Sequence, residues 1–169
     1  MSKKLIWTIV AVVAVVAVAV VAVVLLKPKA EANVEGTLEE IMAKLYAGIS
    51  EDNLPMLGQV PVDTTDPDSI AYYLGTSEVS IKEALVSEPM IGSIPHSVVL
   101  VRLNDAKDAD AAVAKIKESA NPRKWICVEA SNVVVESKGD LVILIMSDTE
   151  MTPEGEALAP KLEANFDNL

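Results

Sequence analysis

Few side chains in this chain are equipped for chemistry. His96 is the only histidine and Cys127 the only cysteine. A serine or cysteine nucleophile needs a base within hydrogen-bond reach. His96 has no cysteine near it in the chain, so a dyad would require a Ser or Cys brought to it by the fold. Cys127 lies in WICVE, where polar and apolar residues alternate, which predicts a buried small hydrophobe rather than a nucleophile. A lone cysteine allows no internal disulfide and no cysteine-based metal cluster. Two acidic stretches have the look of cation loops. DAKDAD, from Asp105, lacks the D-x-D-x-D-G core and closing Glu of an EF-hand. Its Asp105 and Asp108 are expected to serve the start of a helix through capping and the helix dipole. DTTDPD, from Asp63, reads as a turn and helix cap, with a weak surface Ca²⁺ site as the alternative. G-x-S-x-G, H-E-x-x-H and Gly-rich phosphate-loop patterns are absent from the sequence. The sequence therefore assigns no catalytic residue, no metal ligand and no cofactor.

The stretch SEPMIGSIPHS, Ser87 to Ser97, supplies the candidate partner-binding residues Met90, Ile91, Ile94 and His96. Pro89 and Pro95 restrict the backbone at both ends, and Gly92 permits a sharp reversal between antiparallel strands. Met90, Ile91 and Ile94 are too apolar for an ordinary solvated loop. They either tuck beneath the sheet as core or form an exposed lip with His96 at its rim.

The elements that must position these residues follow from capping and periodicity. Thr37 and Glu40 form a capping box. Leu38, Ile41, Met42, Leu45 and Ile49 then fall on one helical stripe. Residues 53–65, with Pro55, Gly58 and Pro61, read as irregular. A short helix follows, capped by Asp66, with Pro67 at its first position and Gly75 as its stop. Strands are predicted at Val79–Ser87, Ser97–Leu103, Ser131–Glu136 and Leu141–Ser147, the last pair joined by SKGD with Gly139 able to take positive φ. An amphipathic helix lies between Asn104 and Pro122, and a last helix runs from Thr152 toward Phe166, with Pro160 expected to kink or divide it. The fold class is α+β, with an antiparallel sheet of about four strands in a ββαββα core. LVILIM is apolar without alternation, so its strand should be covered on both faces. The helices after Asn104 and after Thr152 are expected on one face and the Thr37 helix on the other.

The first thirty residues differ in kind. Leu5 to Leu26 is an uncharged, almost wholly apolar run of 22 residues. As a helix it would reach about 33 Å, enough to cross a hydrocarbon core of about 30 Å. Trp7, Lys3 and Lys4 suit the interface at one end. The expected organisation is an anchor over residues 1–29, a tether over 30–36 and an extracytoplasmic domain over 37–169. Ala30-Glu31-Ala32 resembles a signal-cleavage site, so a secreted module is the rival, although a signal core of about 7–15 residues would be shorter. Four of the 14 cations lie in these first thirty residues, leaving 10 against all 25 carboxylates, a net of about −15 for the rest. Such a domain repels phosphate backbones, so no nucleic acid partner is expected.

From Val79 to Phe166 the chain resembles a family of small bacterial exported domains, lipid- or membrane-anchored, known only as a domain of unknown function. Pro89-Met90, the Val98–Leu103 strand, Asp105-Ala106-Lys107-Asp108 and Ile145-Met146-Ser147-Asp148 carry the resemblance. It implies an extracytoplasmic α+β domain and brings no activity with it. The chain departs from the family's lipoprotein members in lacking a cysteine after the apolar run. These readings together imply a single-pass protein of the cell membrane with an envelope protein as partner and a non-enzymatic binding or scaffolding role. The alternative is an envelope enzyme, or enzyme subunit, with an unrecognised acidic site.

Overall fold

The structure, a computed structural model, describes residues 32–91, 93–148 and 158–169. The predicted anchor at 5–26, Gly92 and the start of the last helix at Thr152 lie outside the described residues. Among those described, no helix is long and apolar enough to cross a membrane.

Among the described residues there are four α-helices and five strands. They are α1 (Leu38–Leu45), β1 (Leu57–Pro61), α2 (Pro67–Leu74), β2 (Ile81–Pro89), β3 (His96–Leu103), α3 (Ala109–Ser119), β4 (Asn132–Lys138), β5 (Leu141–Ser147) and α4 (Leu158–Asp167). The sheet is antiparallel throughout, in the order β1-β2-β3-β5-β4. The expected ββαββα core is present as β2, β3, α3, β4, β5 and α4. The fifth strand, β1, falls in the stretch expected to be irregular. Pro61 and Gly58 argue against a central strand, but β1 is an edge, where a missing ladder donor costs nothing.

Local chemistry explains the helix ends. Thr37 Oγ1 accepts from the Glu40 amide and the Glu40 carboxylate accepts from the Thr37 amide, closing the capping box. The helix stops at Leu45, a turn before Ile49. Asp66 caps α2, and Gly75 ends it in the left-handed region at φ 78°. A Cβ at Gly75 would lie 1.9 Å from the Ser119 carbonyl oxygen, so glycine is required there twice over. Pro160 is the third described residue of α4, so the segment its ring would kink lies outside the described residues.

The sheet is buried on both faces, as the unbroken apolar run of β5 requires; all seven β5 residues are buried. On one face Val86, Val99, Val101, Val142 and Leu144 pack with Ile70 and Leu74 of α2 and Ala112 and Ile116 of α3. On the other, Leu85, Val98, Leu100, Ile143 and Ile145 pack with Ile41, Met42 and Leu45 of α1 and Leu158, Leu162 and Phe166 of α4. Each large aliphatic side chain so buried contributes about 1.5–3 kcal/mol. The expectation that α3 and α4 share a face is overturned: α4 joins the Thr37 helix, and α2 joins α3. Periodicity shows that a helix has an apolar stripe, not which side of the sheet it covers.

Part of the predicted tether is docked. Val34 is buried beside Leu38, and the Arg102 guanidinium donates to the Val34 and Gly36 carbonyls at 3.0 and 2.9 Å. The same guanidinium pairs with Asp140 at 2.9 Å and Glu83 at 2.8 Å. A Cβ at Gly139 would lie 2.5 Å from the Ala32 carbonyl oxygen, so residues 32–33 run close over the β4–β5 turn.

Candidate functional site

The segment containing Met90, Ile91, Ile94 and His96 joins β2 to β3, at the end of the sheet opposite Arg102. Met90 and Ile91 are 70% and 64% exposed, so they are not core. Ile94 is half-buried. His96 is not at a rim: it is wholly buried at the start of β3, on the α1/α4 face. The four residues therefore do not form one surface. Alternation along β3 turns His96 inward, beside Val98 and Leu100, whereas the loop residues follow no such alternation.

His96 Nε2 lies 2.8 Å from the Tyr46 hydroxyl, which reaches it from the end of α1. Burial holds the imidazole well below its usual value, at about 4, and pushes the Tyr46 phenol upward. His96 Nδ1 and the Oγ of Ser147, its cross-strand partner on β5, have no hydrogen-bond partner among the described residues. A neutral imidazole beside serines has the composition of a nucleophile and its base. Ser147 and Ser87, whose hydroxyls lie on this face, are both buried, however, so neither is open to a substrate in this arrangement.

The opposite face of the same sheet end holds a cluster that the sequence did not announce. Lys124, from the loop before β4, buries its side chain with 4% exposed. Its ammonium pairs with Glu88 of β2 and donates to Ser97 Oγ of β3 at 3.1 Å. It stands 5.2–5.5 Å from the ring centroids of Tyr72, Tyr73 and Trp125. Burial lowers the lysine pKa and Glu88 opposes that shift. An acidic partner and three ring faces together keep a desolvated ammonium tolerable. The members come from positions 72 to 125 on three elements and one loop, and no local pattern joins them.

No family model, curated protein or solved structure matches this chain.

The acidic stretches serve local structure. Asp63 accepts from the Thr65 amide and hydroxyl at 2.9 and 2.7 Å, Asp66 caps α2, and Asp105 accepts from the Lys107 amide at 3.0 Å. Cys127 corrects the expectation of a buried residue: it is exposed, at φ 63°, in a loop rather than a strand.

The exposed apolar residues that do gather lie at the β1 edge. Met90 donates its amide to the Met56 carbonyl at 2.9 Å, and Met56 is 74% exposed. A Cβ at Gly58 would be only 3.6 Å from Met90 Cγ. Val60, two residues on, is 50% exposed. Beside them a shallow hollow of about 270 Å³ is lined by Glu51, Leu54, Pro55, Met56 and Leu57. Met56 and Val60 were missed because residues 53–65 were expected to be irregular.

Proposed function

We propose that residues 32–169 form a non-enzymatic binding module of the cell envelope, held at the membrane by residues 5–26, and that it meets a protein partner through Met56, Met90 and Ile91. The observation that carries this is the contrast between side chains at one sheet end. Met56, Met90 and Ile91 are 64–74% exposed, while His96, Ser97 and the Lys124 side chain, the groups suited to chemistry, are buried. Exposed apolar residues that cluster are a mark of contact surfaces. Val34 and Gly36 dock at the Arg102 end of the sheet, away from Met90.

A photo-crosslinking side chain placed at Ile91 in cells should yield a discrete adduct absent when the probe is at Lys117, an exposed position on α3. Equal adducts at both positions, or none at Ile91, would remove the proposal. Cys127 tests the topology directly, because it is exposed and is the chain's only thiol. It should react with a membrane-impermeant maleimide in intact cells, and the protein should stay in the membrane pellet. Protection of the thiol would reverse the orientation, and release into the medium would favour cleavage near Ala32.

A further inference from the structure

We infer that the free edge of β1 takes up an extended segment of a partner protein as an added strand, and that this segment is apolar in its middle and carries Lys or Arg at its ends. The inference rests on the binding role proposed above and specifies the mode and the chemistry.

The pattern of backbone bonds makes the edge usable. The Met90 amide donates to Met56, and the Val62 amide donates to Ala84, each at 2.9 Å. In an antiparallel pair, residues of that parity turn their peptide groups toward the partner strand, and the alternate residues turn theirs away. Leu57, Gln59 and Pro61 therefore direct their backbone groups outward. Among the described residues β1 pairs with β2 alone. Pro61 has no N–H to offer, and Pro55 precedes the strand, so the open window is short and centred on Leu57 and Gln59. Edges are commonly blunted by shortness, by Pro or by charge, and β1 is short and ends in Pro61, which narrows the window without closing it. LGQVP carries no charge. Exposed Met56 precedes it and exposed Val60 lies within it, with the hollow beside Leu57 able to accept an apolar side chain. Backbone pairing with adjoining side-chain pockets is what strand addition requires.

Charge selects the occupant. Between Lys44 and Lys82 there is no Lys, Arg or His. Glu51 and Asp52 precede the strand, and Asp63, Asp66 and Asp68 follow it; all are exposed. Lys82, the only cation of β2, lies two residues beyond the Ala84–Val62 pair. A second copy of this chain paired antiparallel through β1 would set Asp52 of each copy near Asp66 of the other, a repulsive arrangement. A strand with basic ends meets carboxylates at both ends, and Glu51 stands at the rim of the hollow.

The test uses the full chain in detergent micelles and a nonapeptide of alternating valine and threonine with two lysines at each end. At peptide concentrations up to about 1 mM, the weak end of transient contacts, amide exchange at Leu57 and Gln59 should slow by about tenfold or more. Gly58 and Val60, already bonded to β2, should change little. The same peptide with glutamates at its ends, or N-methylated at alternate residues, should give no protection. Gln59→Pro should abolish the effect. Protection by the glutamate-ended peptide would overturn the charge assignment. Unchanged exchange at Leu57 and Gln59 would overturn strand addition, and if Met90 and Ile91 then still respond, the binding surface survives without it. Concentration-dependent self-association that protects Leu57 and Gln59 without peptide would make the occupant a second copy and overturn the inference.

Discussion

The Tyr46 hydroxyl and His96 Nε2 face one another at 2.8 Å, joining the end of α1 to the start of β3 inside the apolar layer between α1, α4 and the sheet. Burial of this pair bears on how the domain responds to acid. His96 is neutral when folded, with its pKa moved from 6.5 to about 4 by burial. The folded state thus binds fewer protons than the unfolded chain between these values, and stability must fall as pH drops through that window. Tyr46 is the titratable group bonded to the ring, and burial raises its pKa, so it supplies no negative charge to offset an imidazolium.

The first prediction is the size of this effect. Between pH 6.5 and 4 the His96 term should withdraw about 3 kcal/mol of stability, at 1.36 kcal/mol per pKa unit. Urea unfolding of the wild type and of His96→Gln across this range should show a steeper loss in the wild type. Parallel curves would mean that His96 titrates normally in the folded protein.

Tyr46→Phe should cost about 1–3 kcal/mol, because a buried imidazole nitrogen loses its partner. The loss should be largest at neutral pH and visible in thermal melts. An unchanged melting temperature would show that the hydrogen bond adds nothing net.

Arg102 ties the entering chain to the sheet through two carbonyls and two carboxylates. Removing it leaves Asp140 buried without its cation. Arg102→Met should therefore destabilise by about 3–5 kcal/mol, whereas replacing an exposed pair such as Lys107 with Asp105 should cost less than about 1 kcal/mol. Proteolysis near residues 32–36 should accelerate in the Arg102 variant, and equal resistance would place the hold elsewhere.

The exposed and buried halves of the apolar inventory should separate under truncation. Met90→Ser and Ile91→Ser should change stability by less than about 0.5 kcal/mol, the usual range for surface sites. Met42→Ala and Phe166→Ala, both essentially fully buried, should cost about 2–5 kcal/mol. A large melting loss at Met90 would return that residue to the core.

The sequence by itself determined the local elements of this domain. Thr37 with Glu40, and Asp66 with Pro67 and Gly75, fix helix ends through contacts within a few residues. The unbroken apolar run of β5 reports a strand covered on both faces, because burial leaves no polar side to alternate. The antiparallel α+β class follows from the order of these elements. Only the tertiary structure decided the rest. β1 was hidden because Pro55, Gly58 and Pro61 weaken a strand everywhere except at an edge, and edge position is a property of the whole sheet. The shared face of α1 and α4 depends on which stripes fill which volume, a question no single helix answers. His96 is buried because β3 carries it inward, while Met90 and Ile91, a few residues earlier, are left outside by the turn. Lys124 sits among Tyr72, Tyr73, Glu88, Ser97 and Trp125 because packing brings distant positions together, and the attraction between charge and ring acts through space rather than along the chain.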